Sequence, residues 1–134
     1  MMLGMAGDCK VCLVDDDESF RESVAGLFRS IGLPVRAFDS AEAFLASELS
    51  ICAGCLVLDV NMPGMSGVEL QRQLIDRGQR IQIVFVTART EPELRRLLLE
   101  RGAIAYLIKP FPEDELLDAV SNAITSQTEQ HSSG

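Results

Sequence analysis

The chain has 134 residues, a formal net charge of −8 and 47% hydrophobic side chains, which is the size and balance of one ordinary globular domain. Folding hides roughly two-thirds of the unfolded surface at this length, so neither a disulfide nor a structural metal is needed to hold a core. With no Lys/Arg cluster to offset it, the acidic excess argues against a nucleic-acid-binding surface, because a phosphate backbone is repelled on average.

In chain order, Lys10 to Val14 reads as a first strand, and Asp15-Asp16-Asp17-Glu18 follows it directly. Glu18 to Ser30 places Phe20, Val24, Leu27, Phe28 and Ile31 at helical spacing, and Gly32 with Pro34 ends that helix. Val35 to Phe38 is a second strand, and Asp39-Ser40 opens a short helix carrying Ala43, Phe44 and Leu45. Cys55 to Leu58 is the third strand, ending at Asp59 and the turn-forming loop Val60-Asn61-Met62-Pro63-Gly64. Ser66-Gly67-Val68-Glu69 fits a capping box, and the helix through Leu70, Leu74 and Ile75 stops at Gly78. Ile81 to Val86 is the fourth strand, followed by Thr87, and Thr90-Glu91-Pro92-Glu93 opens a helix that Gly102 ends. Ile104 to Ile108 is the fifth strand, closed by Lys109-Pro110. Pro112 with Glu113, Asp114 and Glu115 then starts a last helix, with acids where the helix dipole favours them.

Most of these strands are unbroken Val/Ile/Leu runs without polar alternation, as expected of strands covered on both faces. The regular β-α alternation predicts one α/β domain with a parallel sheet and right-handed crossovers. The domain is expected over residues 8–127, with flexible tails at 1–7 and 128–134. Residues 1–7 carry neither a basic start nor an apolar run of signal-peptide length, and no apolar stretch is long enough to span a bilayer, so a cytoplasmic protein without membrane contact is expected.

Two C-x-x-C pairs, Cys9/Cys12 and Cys52/Cys55, have the spacing of a zinc knuckle. Against that reading, Cys12 falls inside a predicted strand, where residues three apart point to opposite faces. A buried free cysteine packs as a small hydrophobe.

The polar residues at the strand ends carry the functional signal. Ligands of open parallel sheets bind just outside the carboxyl ends of the strands. Asp15, Asp16, Asp59, Thr87 and Lys109 would all reach that edge, from four separate segments. Taken singly, an aspartate there is usually a cap, a threonine a strand residue and a lysine a solvated charge; the set is what raises the odds. Crowded carboxylates repel one another unless a cation sits among them. Oxygen ligands suit a hard divalent ion, and the small site favours Mg²⁺. An EF-hand is excluded, because the acidic run lacks its alternating spacing and glycine. Asp59, alone at its strand end, is the best nucleophile for phosphorus, with Lys109 and Thr87 supplying donors to the phosphoryl oxygens. The single histidine, His131, lies in the predicted tail, which removes His-based triads. It also places any phosphohistidine donor on another molecule.

In order and spacing, VCLVDDDESFRESVAGLFRSIG, FDSAEAFL, LVLDVNMPGMSGVEL, VFVTA and AIAYLIKPF resemble the receiver domain of two-component response regulators, most closely the FixJ-like branch. The resemblance implies a flavodoxin-like (βα)5 doubly wound sheet of strand order 2-1-3-4-5. It implies that Asp59 is the phosphoacceptor, that Asp15 and Asp16 hold Mg²⁺ with Asp59 and the backbone carbonyl of Asn61, and that Thr87 and Lys109 contact the phosphoryl group. Lys109-Pro110 matches a peptide bond that is typically cis, and Tyr106 matches an aromatic that turns inward on activation. A sensor histidine kinase (or a small acyl phosphate) is the implied donor. The implied output is a changed surface of the fourth helix, fifth strand and fifth helix, with homodimerisation on phosphorylation and control of a transcriptional output domain. The implied catalysis is limited to self-phosphorylation and slow self-dephosphorylation. Proteins of that branch usually carry a helix-turn-helix domain after the receiver; a chain ending at Gly134 leaves open a stand-alone receiver or a piece of a longer regulator. Arg89, two after Thr87, is expected near the path of attacking water. Three rivals stand beside this reading. An aspartate-nucleophile phosphatase would need an acid where Asn61 stands. The others are an interaction module that is not phosphorylated, and a zinc protein built on the C-x-x-C pairs.

Overall fold

Each apolar run pairs with its neighbours as a parallel strand, and the computed structural model describes residues 10–47 and 54–133, with side chains through position 125. The elements are β1 (Val11–Val14), α1 (Glu18–Ser30), β2 (Val35–Phe38), α2 (Ala41–Ala46), β3 (Cys55–Leu58), α3 (Gly67–Asp76), β4 (Gln82–Thr87), α4 (Pro92–Glu100), β5 (Ala105–Ile108) and α5 (Glu113–Ser133). The sheet has five strands in the order β2-β1-β3-β4-β5, all pairs parallel, as the resemblance implied. Val11 to Val14 pairs residue for residue with Val35 to Phe38 on one side and Cys55 to Leu58 on the other, so Asp15 and Asp59 leave the sheet side by side.

Successive side chains on a strand face opposite sides, and two apolar layers result. One collects Val14, Leu56, Leu58 and Phe85 with Phe44 of α2, Leu70 of α3 and Leu98 of α4. The other collects Leu13, Val57, Val84 and Val86 with Phe28 of α1 and Val120 of α5. Strands β1 and β3 are buried throughout, which matches their unbroken apolar runs. The edge strands β2 and β5 carry exposed positions, because only one side of each has a neighbour.

Helix starts follow the capping chemistry read from the sequence. Asp17, Ser40 and Ser66 accept from the N–H groups of Phe20, Ala43 and Glu69 at 3.2, 3.1 and 3.1 Å. Helix α4 differs: Pro92 stands in its first turn, and Glu91 before it makes no side-chain cap. Helix α5 continues to Ser133, through most of the stretch read as a tail at 128–134; the other predicted tail, 1–7, lies outside the described residues.

The two cysteines within the described residues are both fully buried. Cys12 packs in one layer and Cys55 in the other, so the sheet stands between them and they cannot share an ion. Burial pushes the Cys55 thiol up to about 12, away from the thiolate that zinc requires. Cys9 and Cys52 lie outside the described residues.

Candidate phosphoryl-acceptor site

Three carboxylates meet where β1 and β3 end. Asp15, Asp16 and Asp59 each offer an oxygen within 4.8 Å of the others, with Asp15 and Asp59 buried and Asp16 exposed. Asp15 is fixed from several directions. Its Oδ1 accepts from the N–H of Asp17 at 2.9 Å, its Oδ2 from Lys109 Nζ at 2.8 Å, and its carbonyl from Arg21 Nη1 at 2.9 Å. Asp59 Oδ1 accepts from the N–H of Asn61 at 3.4 Å, which holds the start of the exposed loop against the carboxylate.

Lys109 reaches across from the end of β5. Its ammonium lies 3.8 Å from Asp59 Oδ2 as well as bonding Asp15, so its shorter contact is with Asp15 and its longer one with Asp59. The ammonium also rests 4.0 Å from the ring centroid of Phe20, which packs nearly perpendicular to Phe111, so one aromatic face lies against it. The bond between Lys109 and Pro110 is cis, as implied.

Electrostatics mark Asp59 among these groups. Burial, and then the Asp15 charge, push its carboxyl up to about 6, and Lys109 offsets only part of this. A negative charge on Asp59 at neutral pH is therefore costly without a further cation. The donor set suits a hard divalent ion: oxygens only, crowded and anionic. Asp15, Asp16 and Asp59 would hold it, and the loop at Asn61 bonds one of the Asp59 oxygens.

The other side of the site is built from β4 and β5. Thr87 is buried at the end of β4, pairs with Ile108, and accepts from the N–H of Arg89 at 3.2 Å. Arg89 spans the surface above it. Nε donates to both oxygens of Glu91 at 2.9 and 3.1 Å, while Nη1 donates to Asn61 Oδ1 at 3.2 Å. Tyr106, only 6% exposed, donates its hydroxyl to the Arg89 carbonyl at 2.9 Å and packs beside Phe85. Burial pushes this phenol up, which keeps it a donor. Asp15, Asp16, Asp59 and Lys109 thus meet directly, and Arg89 ties Asn61 and Tyr106 to the segment that follows Thr87.

Several contributors escaped the sequence reading. Phe20 belongs to the periodic stripe of α1 but supports the ammonium of Lys109. Glu42, on α2, accepts from the N–H of Met65 at 2.9 Å and anchors the loop after Asp59. Gly67 lies so close to the Asp59 backbone that a Cβ there would collide with its carbonyl oxygen. The SxxE pattern of the capping box predicted a helix start at this glycine, and no local pattern shows which backbone it touches.

The response regulator receiver domain model matches residues 11–121. Response regulator protein TmoT of Ectopseudomonas mendocina is 40% identical over 120 residues, covering 90% of this chain and 54% of that protein. Transcriptional regulatory protein FixJ of Azorhizobium caulinodans is 38% identical over 120 residues, covering 90% of this chain and 57% of that protein. The solved structure of response regulator StyR superposes with a TM-score of 0.85 at 44% identity, covering 92% of this chain and 62% of that one. The chain thus spans about half the length of the curated relatives it matches.

Proposed function

Because the chain belongs to the response regulator receiver family, we propose that Asp59 is the group that takes the phosphoryl in its two-component switch, with a sensor histidine kinase as donor. What supports this assignment is the meeting of Asp59 with Asp15, Asp16 and the ammonium of Lys109 at one sheet edge. In the reaction an Asp59 carboxylate oxygen attacks phosphorus and forms an acyl–phosphate bond. The N–P bond to the donor imidazole breaks, and its electron pair stays on that ring. Lys109 is placed to turn from Asp15 toward the phosphoryl oxygens, and Thr87 offers a hydroxyl from the adjacent strand. A bound Mg²⁺, held by Asp15, Asp16, Asp59 and the Asn61 carbonyl, would supply charge neutralisation among the acids and on the phosphoryl oxygens. The phosphoryl group is itself the ligand that shifts the domain between two arrangements, read at Thr87, Tyr106 and the surface of α4, β5 and α5. Among the described residues no helix is long and apolar enough to cross a membrane, which fits the cytoplasmic setting we propose. Control of a transcriptional output domain is proposed by analogy with the relatives named as transcriptional regulators.

Intact-mass measurement after treatment with acetyl phosphate and Mg²⁺ tests the assignment. Wild type should gain one phosphoryl group that is lost at alkaline pH, and Asp59→Asn should gain none. Equal phosphorylation of the variant would reject Asp59 as the acceptor.

Arg89 offers a second expectation, from its span between Glu91 and Asn61 across the mouth of the site. Cutting it back should open the approach of water to the acyl phosphate. Loss of one such contact corresponds to about a threefold shorter phosphorylated half-life in Arg89→Ala. A half-life equal to that of wild type would show that this arm has no part in protection.

A further inference from the structure

The buried face of α3 carries two contacts one helical turn apart, and they reach different parts of the molecule. At its first residue, Gly67 lies against the Asp59 backbone with no room for a Cβ, and its N–H donates to the Val60 carbonyl at 2.8 Å. Four residues on, and so on the same side of the helix, Gln71 is 1% exposed and donates from Nε2 to the carbonyl of Leu98 at 3.1 Å. Leu98 is the only buried residue of α4, a helix whose N-terminus has no side-chain cap. Residue 71 therefore holds α4 at the point where α4 meets the core.

A glutamine is a costly choice there. Its Oε1 is buried and finds no donor among the described residues, so one end of the amide is desolvated without return. A leucine or methionine would fill the same apolar layer at no such cost. What the amide adds is direction: a hydrogen bond weakens steeply as its donor angle closes below about 120°, so a small displacement of α3 against α4 switches it off.

We infer that Gln71 is a coupling residue, carrying a change at Asp59 through the first turn of α3 to the position of α4. The inference rests on the phosphoacceptor reading of Asp59. The route leaves Asp59 through α3, whereas Thr87 and Tyr106 lie on β4 and β5. Gly67 leaves no slack at one end, a single helical turn transmits the shift, and a directional bond converts it into a made or broken contact.

The test uses the full ¹⁵N-labelled chain, wild type and Gln71→Met, with and without acetyl phosphate and Mg²⁺. Intact mass first establishes whether the protein is phosphorylated; absence of phosphorylation in the wild type would overturn the phosphoacceptor reading and this inference with it. With both proteins phosphorylated, the wild type should show shifts in the Gln71 side-chain amide and in the backbone amides of α4. In Gln71→Met the α4 shifts should be lost while those at Tyr106 persist. Without phosphoryl, the α4 amides of the variant should exchange with solvent about fivefold faster, the loss expected for one net hydrogen bond. A merely structural role would lower thermal stability yet leave the phosphorylation-dependent α4 shifts intact, and that result would overturn the inference. Should Gln71→Met fail to fold, the wild-type Gln71 side-chain amide decides: signals unmoved by phosphorylation would count as refutation.

Discussion

Adding one methyl group at position 67 is expected to cost about 3 kcal/mol of stability and to displace the Asp59 backbone. Alanine is a better helix former than glycine, so propensity alone would favour Gly67→Ala by about 1 kcal/mol. Packing reverses the sign. The new Cβ would collide with the Asp59 carbonyl oxygen and press on Val60, and these are backbone atoms with no rotamer to give way. The first turn of α3 cannot retreat freely either, since the Gly67 N–H is bonded to the Val60 carbonyl and Ser66 caps the helix. Urea unfolding should show a lower midpoint with an unchanged slope, and the surviving folded protein should phosphorylate more slowly. A variant as stable as wild type would mean that α3 and the Asp59 loop are not in rigid contact.

The second expectation has the opposite sign. In metal-free buffer above pH 7, Asp59→Asn should be more stable than wild type by about 2 kcal/mol. Burial and Asp15 raise the Asp59 carboxyl from its ordinary 3.8 to about 6. Between those values the folded state holds a proton that the unfolded state has already lost, so the wild type loses stability as pH rises through this window. At about 1.4 kcal/mol per tenfold change in proton affinity the full gap corresponds to about 3 kcal/mol, and solvent reaching the site reduces this to about 2. Asparagine cannot ionise and escapes the loss. The difference between the two proteins should therefore vanish below about pH 4 and be complete above about pH 7. Mg²⁺ should narrow it by binding and stabilising the folded wild type. Thermal melts of both proteins across pH, with EDTA and then with Mg²⁺, measure each part. A variant less stable than wild type at pH 8 in EDTA would show that Asp59 is not strained by its neighbours.

Both expectations trace to features that differ in how far the sequence reveals them. The central strands were legible because strands covered on both faces must be apolar throughout, as Val11–Val14 and Cys55–Leu58 are. Helix starts were legible because Asp17, Ser40 and Ser66 bond their own chain three residues on. The extent of α5 beyond position 127 was not, because Gln, Thr, Ser and His there give no apolar stripe to follow.

By itself the sequence determined the α/β alternation and the delivery of Asp15, Asp59, Thr87 and Lys109 to strand ends, since local periodicity and end signals are properties of short segments. Its resemblance to receivers further implied the strand order and the roles of those residues. Tertiary structure alone decided that Lys109 bonds Asp15 more closely than Asp59, that Phe20 supports that lysine, and that Gly67 and Gln71 connect the Asp59 loop to α4. These contacts join residues from separate elements. Their existence depends on distances that only the assembled sheet and its two helical layers set.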